Sequence, residues 1–474
     1  MTDELELEQN TAGPVRPKEN RMGTAPVTRL ILSMSWPAML SMLIQALYNI
    51  VDSAFVARIS EDALTALTLV FPVQMLLVAV GVGTGVGINS LVSRRLGAHR
   101  FDEASQAASM GLKLSIINWV FFAVIGLVFA GPIVGLFTKE PAIYQMGKQY
   151  LSLVFIFSIF AITHMILEKT IQSTGNMLWP MIASIAGCVV NITLDPILIF
   201  GLLGAPELGV IGAAIATIIG QAVSTLISVY IIRHKVHDVH ISIRTKMDKY
   251  TIGEIYAVGL PSILMQVVIS FASALMNLIL VGLSTTAVAV NGVYGRLQSF
   301  IFMPVFGLNQ GTTPIFGYNY GAGNKERLVK ALKTAWVLAF CIMFCGFVLF
   351  QTIPEILLGL FDASPQMLEI GVPAFHIISI CFLPASIGII GGSMFAATGH
   401  GFISLISAVV RQLVFIVPAA YILSRIGGLD LIWWAFPISE IFGLTYVLVM
   451  LKWLFKHDIN KMHRYDELAN HGVL

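Results

Sequence analysis

The sequence contains few charged residues for its length. Asp, Glu, Lys and Arg make up 11% of the 474 residues, whereas 57% are apolar and the mean hydropathy is +0.83. Water-soluble domains carry about 25% charged residues, because their surfaces must be solvated. The shortage excludes an ordinary water-soluble protein and predicts a chain that lies in a lipid bilayer. The net charge of +2 gives no indication of a nucleic-acid partner.

Signals typical of metal sites, disulfides and enzymes are also missing. The sequence has no CxxC pair, Walker motif, DDxxD pair, HExxH motif or nucleophile elbow, so we expect neither a cofactor nor an enzymatic activity. The polar segment 1–29 lacks the apolar stretch of a cleaved signal peptide. The few cysteines lie in apolar runs, where we expect them to pack in the core: Cys188, Cys341, Cys345 and Cys381.

Long apolar runs dominate the rest of the sequence. A membrane span needs about 20 apolar residues to cross about 30 Å of hydrocarbon, and about twelve runs meet this requirement. A polar linker, 233–253, divides them into an N-lobe at 30–232 and a C-lobe at 254–455, with polar tails at 1–29 and 456–474. The predicted fold is therefore an all-α polytopic membrane protein of two six-helix lobes. The predicted spans are 30–56, 63–92, 107–137, 142–171, 178–203 and 208–232, then 254–283, 287–317, 331–361, 366–396, 401–425 and 429–454.

The two halves repeat each other. One offset of 224 residues relates landmarks along the whole chain. An even number of spans in each half makes the repeats parallel, with a pseudo-two-fold axis along the membrane normal, as in many transporters. We therefore expect a substrate path between the lobes. The matching landmarks are Pro37 and Pro261, Gly97 and Gly321, Asp102 and Glu326, Pro141 and Pro365, and Gly175 and Gly399.

The distribution of Lys and Arg predicts the orientation. About 22 of the 28 basic residues fall on the side of the two termini, whereas the other side holds Arg58, Lys139, Lys148 and Arg425. By the positive-inside rule, both termini lie in the cytoplasm.

Four alternating glycines in the second span do not follow a strand, so they indicate close helix packing rather than a phosphate loop: Gly81, Gly83, Gly85 and Gly87.

Ionisable residues inside a membrane are costly and are therefore functional candidates. Asp52 lies on a polar helical face of the first span with Gln45, Tyr48 and Asn49. The fifth and sixth spans add two polar pairs at i and i+4, Asn191 with Asp195 and Thr217 with Gln221. If these faces converge, the two carboxylates bind either a proton or a sodium ion, the latter at Asp52, Asn191 and Asp195. Alternatively, Asp52 only caps its helix and Asp195 only lies near an exit.

The second half has a polar face in its first span but no acid on it. We therefore expect ion coupling in the N-lobe and neutral substrate contacts in the C-lobe. Of the remaining candidates, Glu168 is satisfied by local pairing with Lys169 or by snorkelling, and Arg296 and Arg411 neutralise a buried acid or a carbonyl cluster. His164 and His376 are packing residues, while the role of Glu440 stays open. The predicted substrate cavity comprises Gln45, Asn49, Gln221, Gln266, Ser273, Asn277, Arg296 and Gln310.

The order and spacing of several motifs resemble the MATE family, multidrug and toxic compound extrusion, in its DinF-like branch with the MepA-like pumps. Pro37 precedes Asp52 by fifteen residues. The other motifs are Asn191-Ile-Thr-Leu-Asp195-Pro196, Gly212-Ala-Ala-Ile-Ala-Thr217, Gly307-Leu-Asn-Gln310-Gly and Gly317-Tyr-Asn-Tyr-Gly-Ala-Gly323.

The resemblance implies a V-shaped bundle in the bacterial cytoplasmic membrane. Such a protein exports organic cations and amphipathic drugs by alternating access, in exchange for H+ or Na+ and without an obligate protein partner. The family's cation site carries over to Asp52, Tyr48, Asn191, Asp195 and Thr217, and some family members bend the first helix near the proline at position 37. The family's other branch places an acid on the seventh span, where this chain has Gln266.

Two other functions remain as alternatives. A flippase for lipid-linked precursors would share the duplicated halves, but it should offer more cationic groups to a pyrophosphate than Arg296 and Arg411. An intramembrane enzyme acting on lipids would need a metal-binding acidic pair or a nucleophile with its base, and neither occurs.

Overall fold

The computed structural model describes residues 20–462, and every regular element in that range is helical. The N-lobe follows a short helix, α1 (Arg21–Thr24). Its helices are α2 (Val27–Ala57), α3 (Glu61–Gly97), α4 (Phe101–Val124), α5 (Ala130–Phe137), α6 (Pro141–Ile156), α7 (Ile159–Ser173), α8 (Leu178–Phe200) and α9 (Val210–His234). A π-helical segment, Ile125–Phe129, joins α4 to α5.

The C-lobe repeats this order. Its helices are α10 (Lys249–Val281), α11 (Thr285–Gly321), α12 (Lys325–Thr352), α13 (Pro354–Gly359), α14 (Pro365–Ser379), α15 (Phe382–Ala397), α16 (Gly401–Val409), α17 (Val417–Ile432) and α18 (Ala435–His457). A π-helical segment, Val410–Ile416, joins α16 to α17, and 3-10 turns lie at Leu202–Gly204 and Ile459–Lys461.

The helices form twelve membrane spans. Within residues 20–462, nine spans are long and apolar enough to cross a bilayer, and two bent pairs, α6 with α7 and α14 with α15, supply two more. The twelfth is α11, which has 37 residues but carries polar side chains such as Arg296, Asn309 and Gln310. The predicted all-α membrane fold with two six-helix lobes is confirmed.

The repeat predicted from the sequence recurs in the helix ends. The second helix of each lobe, α3 or α11, has 37 residues, and the 224-residue offset relates both ends of one to those of the other. These helices extend past the predicted spans because charged residues such as Glu61 and Arg95 continue the helix at its ends. We call the end of the bundle with residues 20–25 and the linker 235–248 the terminal face.

The lobes touch closely near the terminal face. A Cβ on Gly87 would lie 2.1 Å from the carbonyl oxygen of Ile255 in α10, so only glycine permits this approach. Gly83 faces α10 in the same way, whereas Gly81 and Gly85 face α7. The alternating glycines thus lie at close helix contacts on two sides of α3. An ion pair between Arg95 and Glu254 (2.5 Å) also joins the lobes.

The expected burial of the cysteines is wrong for two of the four. Cys381 is buried and Cys188 is half-buried, but Cys341 and Cys345 are exposed. They lie one helical turn apart on the same face of α12. In a membrane protein an apolar exposed face contacts lipid, so an apolar run does not by itself distinguish the core from the lipid surface.

An ion pair with a buried carboxylate lies in the C-lobe. Arg411, in the π-helical segment, lies 3.3 Å from the carboxylate of Glu440 in α18, whose side chain is only 8% exposed. Arg411 therefore neutralises a buried acid, as predicted. Arg296, in contrast, is exposed and takes part in none of the ion pairs among the described residues.

Replacing Arg411 with Met should destabilise the protein by about 3 kcal/mol, because Glu440 would be left buried without its cation. Thermal unfolding in detergent would show a lower midpoint. The double variant Arg411→Met and Glu440→Met should regain most of the loss, since an apolar pair needs no ionic partner. A single variant as stable as the native chain would mean that this pair contributes nothing.

Candidate functional site

Two carboxylates lie together in the N-lobe. Asp52, in the last third of α2, and Asp195, near the end of α8, lie within hydrogen-bonding reach of each other. Asp195 is fully buried and Asp52 is half-buried. Two carboxylates this close cannot both stay ionised without a cation or a shared proton. The pairing places residues 143 positions apart at one point between the helices.

Neutral polar groups surround the acid pair. The Asn191 amide donates to the Thr217 hydroxyl (3.3 Å), which links α8 to α9. The Tyr48 hydroxyl lies near the same threonine. Tyr48 lies one helical turn before Asp52 on α2, and Asn191 one turn before Asp195 on α8, so each helix presents two polar groups to one spot. The structure thus brings together all five residues of the predicted coupling site.

Two further residues near this site were not predicted from the sequence. Tyr150, on α6, is 5% exposed and lies close enough to interact with both Asp52 and Asp195. Its hydroxyl lies near the side chain of Gln74, on α3. Gln74 is a lone amide within an apolar run, a signal that could have identified it. A tyrosine on an amphipathic helix gives no such signal, because tyrosine is common in packed interfaces.

Four buried oxygens of the site have no hydrogen-bond donor among the described residues. They are Oδ1 of Asp52, Oδ1 of Asn191 and both carboxylate oxygens of Asp195. Buried acceptors are rarely left unpaired, so this set fits a bound proton or a hard cation such as Na+, which prefers oxygen ligands. Within residues 20–462, no group of three or more His, Cys, Asp or Glu could hold a transition metal.

A pocket lies between the lobes, nearer the terminal face than the acid pair. Gln45 of α2 and Gln310 of α11 both line it, together with Glu168 of α7. Two predicted cavity residues from different lobes therefore share one pocket. Its other walls are formed by Pro37, Ala38, Ser41, Met42, Gln172, Met177, Pro180 and Met181.

Three residues that line this pocket, Glu168, Gln172 and Gln310, take part in a polar network. The buried ammonium of Lys169 donates to the amide oxygens of Gln172 (2.9 Å) and Gln310 (2.8 Å) and so bridges the lobes. Glu168 instead accepts from Gln172 (2.7 Å) and lies 3.8 Å from His164. Pairing with Lys169, one of the two alternatives expected for Glu168, is therefore wrong, since adjacent helical residues point in different directions.

The two histidines have different surroundings. Both ring nitrogens of His164 are within hydrogen-bonding distance of serine hydroxyls, at 3.1 Å from Ser228 and 3.2 Å from Ser184. The carbonyl of His376 accepts from the Gln351 amide (2.8 Å). These contacts satisfy polar groups of both residues within the bundle.

Other predicted cavity residues lie nearer the surface than Asp195. Asn49 is exposed on α2, and Gln221 is half-buried on α9. The C-lobe residues are mostly at the surface, and Asn277 accepts a hydrogen bond from Asn291 (2.9 Å). None of them forms a hydrogen bond or an ion pair with Asp52 or Asp195 in the described part of the chain. These C-lobe residues are Gln266, Ser273, Asn277 and Arg296.

The chain is similar to known membrane transporters over most of its length. Residues 37–197 and 261–422 match the MatE family. The multidrug export protein MepA of Staphylococcus aureus (strain MRSA252) is 28% identical over 424 residues, which cover 88% of this chain and 91% of that protein. The MepA of Staphylococcus haemolyticus (strain JCSC1435) is 27% identical over 416 residues, which cover 87% and 91%.

Solved structures share the fold. A MOP superfamily transporter from Pyrococcus furiosus superposes with a TM-score of 0.86 at 26% identity, over 94% of this chain and 99% of that one. An outward-facing multidrug resistance transporter of the MATE family gives a TM-score of 0.86 at 27% identity, over 93% and 99%. The likeness therefore includes both lobes and the helices that carry the acid pair.

Proposed function

The chain belongs to the MATE family of multidrug export transporters, which are not enzymes, and we propose that it exports cationic and amphipathic organic compounds in exchange for H+ or Na+. The observation that carries the proposal is the pair of Asp52 and Asp195, three of whose oxygens lack a hydrogen-bond donor among the described residues, as does Oδ1 of the neighbouring Asn191. A driving ion needs a site whose occupancy changes the energy of the protein, and an uncompensated acid pair meets that need.

The terminal face is proposed to be cytoplasmic, in a bacterial cytoplasmic membrane. The support is the excess of Lys and Arg at this end, for example Arg94, Arg95, Arg233 and Lys325. The lobes touch at this face, through Arg95 and Glu254 among other contacts. The conformation is then outward-facing, with the acid pair on the side that receives external ions.

The proposed cycle is alternating access. An external proton or sodium ion binds between Asp52 and Asp195 and removes the net negative charge that attracts a cationic drug. The drug leaves to the outside. The lobes then part at the terminal face, and the ion leaves to the cytoplasm. Such an ion drives transport only if it binds the two conformations with different affinities.

Ethidium efflux from energised vesicles tests the proposal. The proton gradient and the sodium gradient are collapsed in separate experiments. Loss of efflux with a protonophore alone would assign a proton to the acid pair, and loss upon removal of the sodium gradient alone would assign a sodium ion. If the efflux of several cationic dyes is unchanged when either gradient is collapsed, the proposal of ion-coupled export is wrong.

The flippase alternative has less support. Among the described residues, the only acidic or basic side chain that lines the pocket shared by Gln45 and Gln310 is Glu168, which would repel a pyrophosphate. The nearby ammonium of Lys169 is already engaged by the amide oxygens of Gln172 and Gln310. Binding of a radiolabelled lipid-linked precursor would reopen this alternative.

A further inference from the structure

A segment before the first span binds both lobes at the terminal face. We call residues 20–25 the strap. On the N-lobe side, the Asn20 amide donates to the carbonyl oxygen of Thr174 (3.0 Å) and to the carboxylate of Asp238 in the linker (2.9 Å). The Arg21 guanidinium donates to the carbonyl oxygen of Gly175. These contacts hold the strap against the turn between α7 and α8.

On the C-lobe side, Arg327 of α12 holds the strap. Its guanidinium donates to the carbonyl oxygens of Met22 (3.0 Å) and Ala25 (2.7 Å). The Asn319 amide of α11 also donates to the Met22 carbonyl (3.3 Å). Gly23 lies against the ring of Tyr318, which a Cβ would approach to 3.1 Å.

The strap is part of the protein core rather than a loose tail. The Met22 side chain is fully buried and packs on Gly175 in the N-lobe turn. Burial raises the pKa of Asp238, and the hydrogen bond from Asn20 partly offsets this effect. Buried apolar area and charge-assisted hydrogen bonds therefore act together on a segment of six residues.

We propose that the strap is a latch that keeps the terminal face closed and that must leave Arg327 and Asn319 before the lobes can part there. The strap continues directly into α2 of the N-lobe, so it stays with that lobe when the lobes move. The bonds that break are then the ones from the C-lobe. The inference rests on the proposed alternating access but not on the identity of the coupling ion.

The charge on Arg327 sets the strength of the latch. Hydrogen bonds from a charged donor contribute more than neutral ones, and this guanidinium serves two carbonyls of the strap. Weakening it should raise the ratio of open to closed terminal faces by about tenfold. The latch thus adjusts the equilibrium between the conformations without touching the acid pair.

The test measures the distance between the lobes by double electron–electron resonance in lipid nanodiscs. Spin labels replace two exposed residues, His240 of the linker and Lys330 of α12, in a chain whose four cysteines are replaced by alanine. Two latch variants are compared, Arg327→Gln on the C-lobe side and Gly23→Leu on the strap side. Lys325→Gln, which removes an exposed charge from the same helix, is the matched control.

Both latch variants should shift the distance distribution toward longer values, and the control should match the native chain. If the distance distributions of both latch variants match that of the native chain, the latch proposal is wrong. If Arg327→Gln fails to fold, as judged by size-exclusion chromatography, Gly23→Leu decides the question. The latch variants should retain the native ion dependence of ethidium efflux, so failure of the latch and failure of ion coupling give different results.

Discussion

Replacing Asp195 with Asn is expected to reduce ion-driven efflux of cationic dyes at least about tenfold, close to the level of vesicles without the protein. Asparagine has nearly the shape of aspartate but cannot bind and release a proton or offer a full negative charge to Na+. The acid pair would then hold one charge at most, and its occupancy could no longer differ enough between the conformations to drive transport. Asp52→Asn should have an effect in the same direction.

The Asp195→Asn variant should be at least as stable as the native chain, although it loses efflux. Both carboxylate oxygens of Asp195 are buried and have no hydrogen-bond donor among the described residues, and the second acid lies within hydrogen-bonding reach. A neutral amide removes the repulsion within the pair, so the thermal midpoint in detergent should stay equal or rise. A loss of efflux with retained stability would separate a transport role from a structural one.

A matched control is available on the surface. Asp430 is exposed in the last turn of α17, so Asp430→Asn makes the same chemical change far from the pair. This variant should transport as well as the native chain. Efflux that remains complete in Asp195→Asn and Asp52→Asn, with the ion gradient still required, would show that the coupling site lies elsewhere.

Much of the fold could be predicted because membrane spans and duplication leave strong signals. An apolar run of about 20 residues has few structural alternatives, and the 224-residue offset relates both ends of α3 to those of α11. The acid pair could be predicted as well, since Asp52 and Asp195 each lie on a polar face of an apolar helix. Their proximity required helices that are far apart in the sequence to pack together.

The features that escaped prediction depend on tertiary packing. The bend between α6 and α7, of 48°, lies at Ile156–Ile159, where no proline or glycine marks a break. Lys169 turns toward Gln310 of the other lobe rather than toward Glu168, a direction that helix geometry constrains but does not determine. The strap falls in a segment whose polar composition suggests only a solvated tail.

The closed terminal face should be sensitive to a single methyl group at Gly97. The helices α3 and α11 approach each other very closely here, because a Cβ on Gly97 would be 1.9 Å from the carbonyl oxygen of Tyr318. The obstacle is backbone, which cannot rotate away as a side chain can, so Gly97→Ala must push the two helices apart. Overpacking of this kind costs about 1–3 kcal/mol, which corresponds to about a 5- to 150-fold loss of the closed population.

Transport should fall with that population, because alternating access needs a closed terminal face in every cycle. We therefore expect Gly97→Ala to reduce dye efflux by about tenfold and to lengthen the distance between spin labels at positions 240 and 330. Gly253→Ala in α10 is the matched control, since a Cβ at Gly253 would meet no neighbouring side chain or helix within 4 Å in the described part of the chain. Equal efflux and equal distances in the two variants would mean that the contact of α3 with α11 does not limit closure, and the ion pair of Arg95 with Glu254 would then be the next contact to remove.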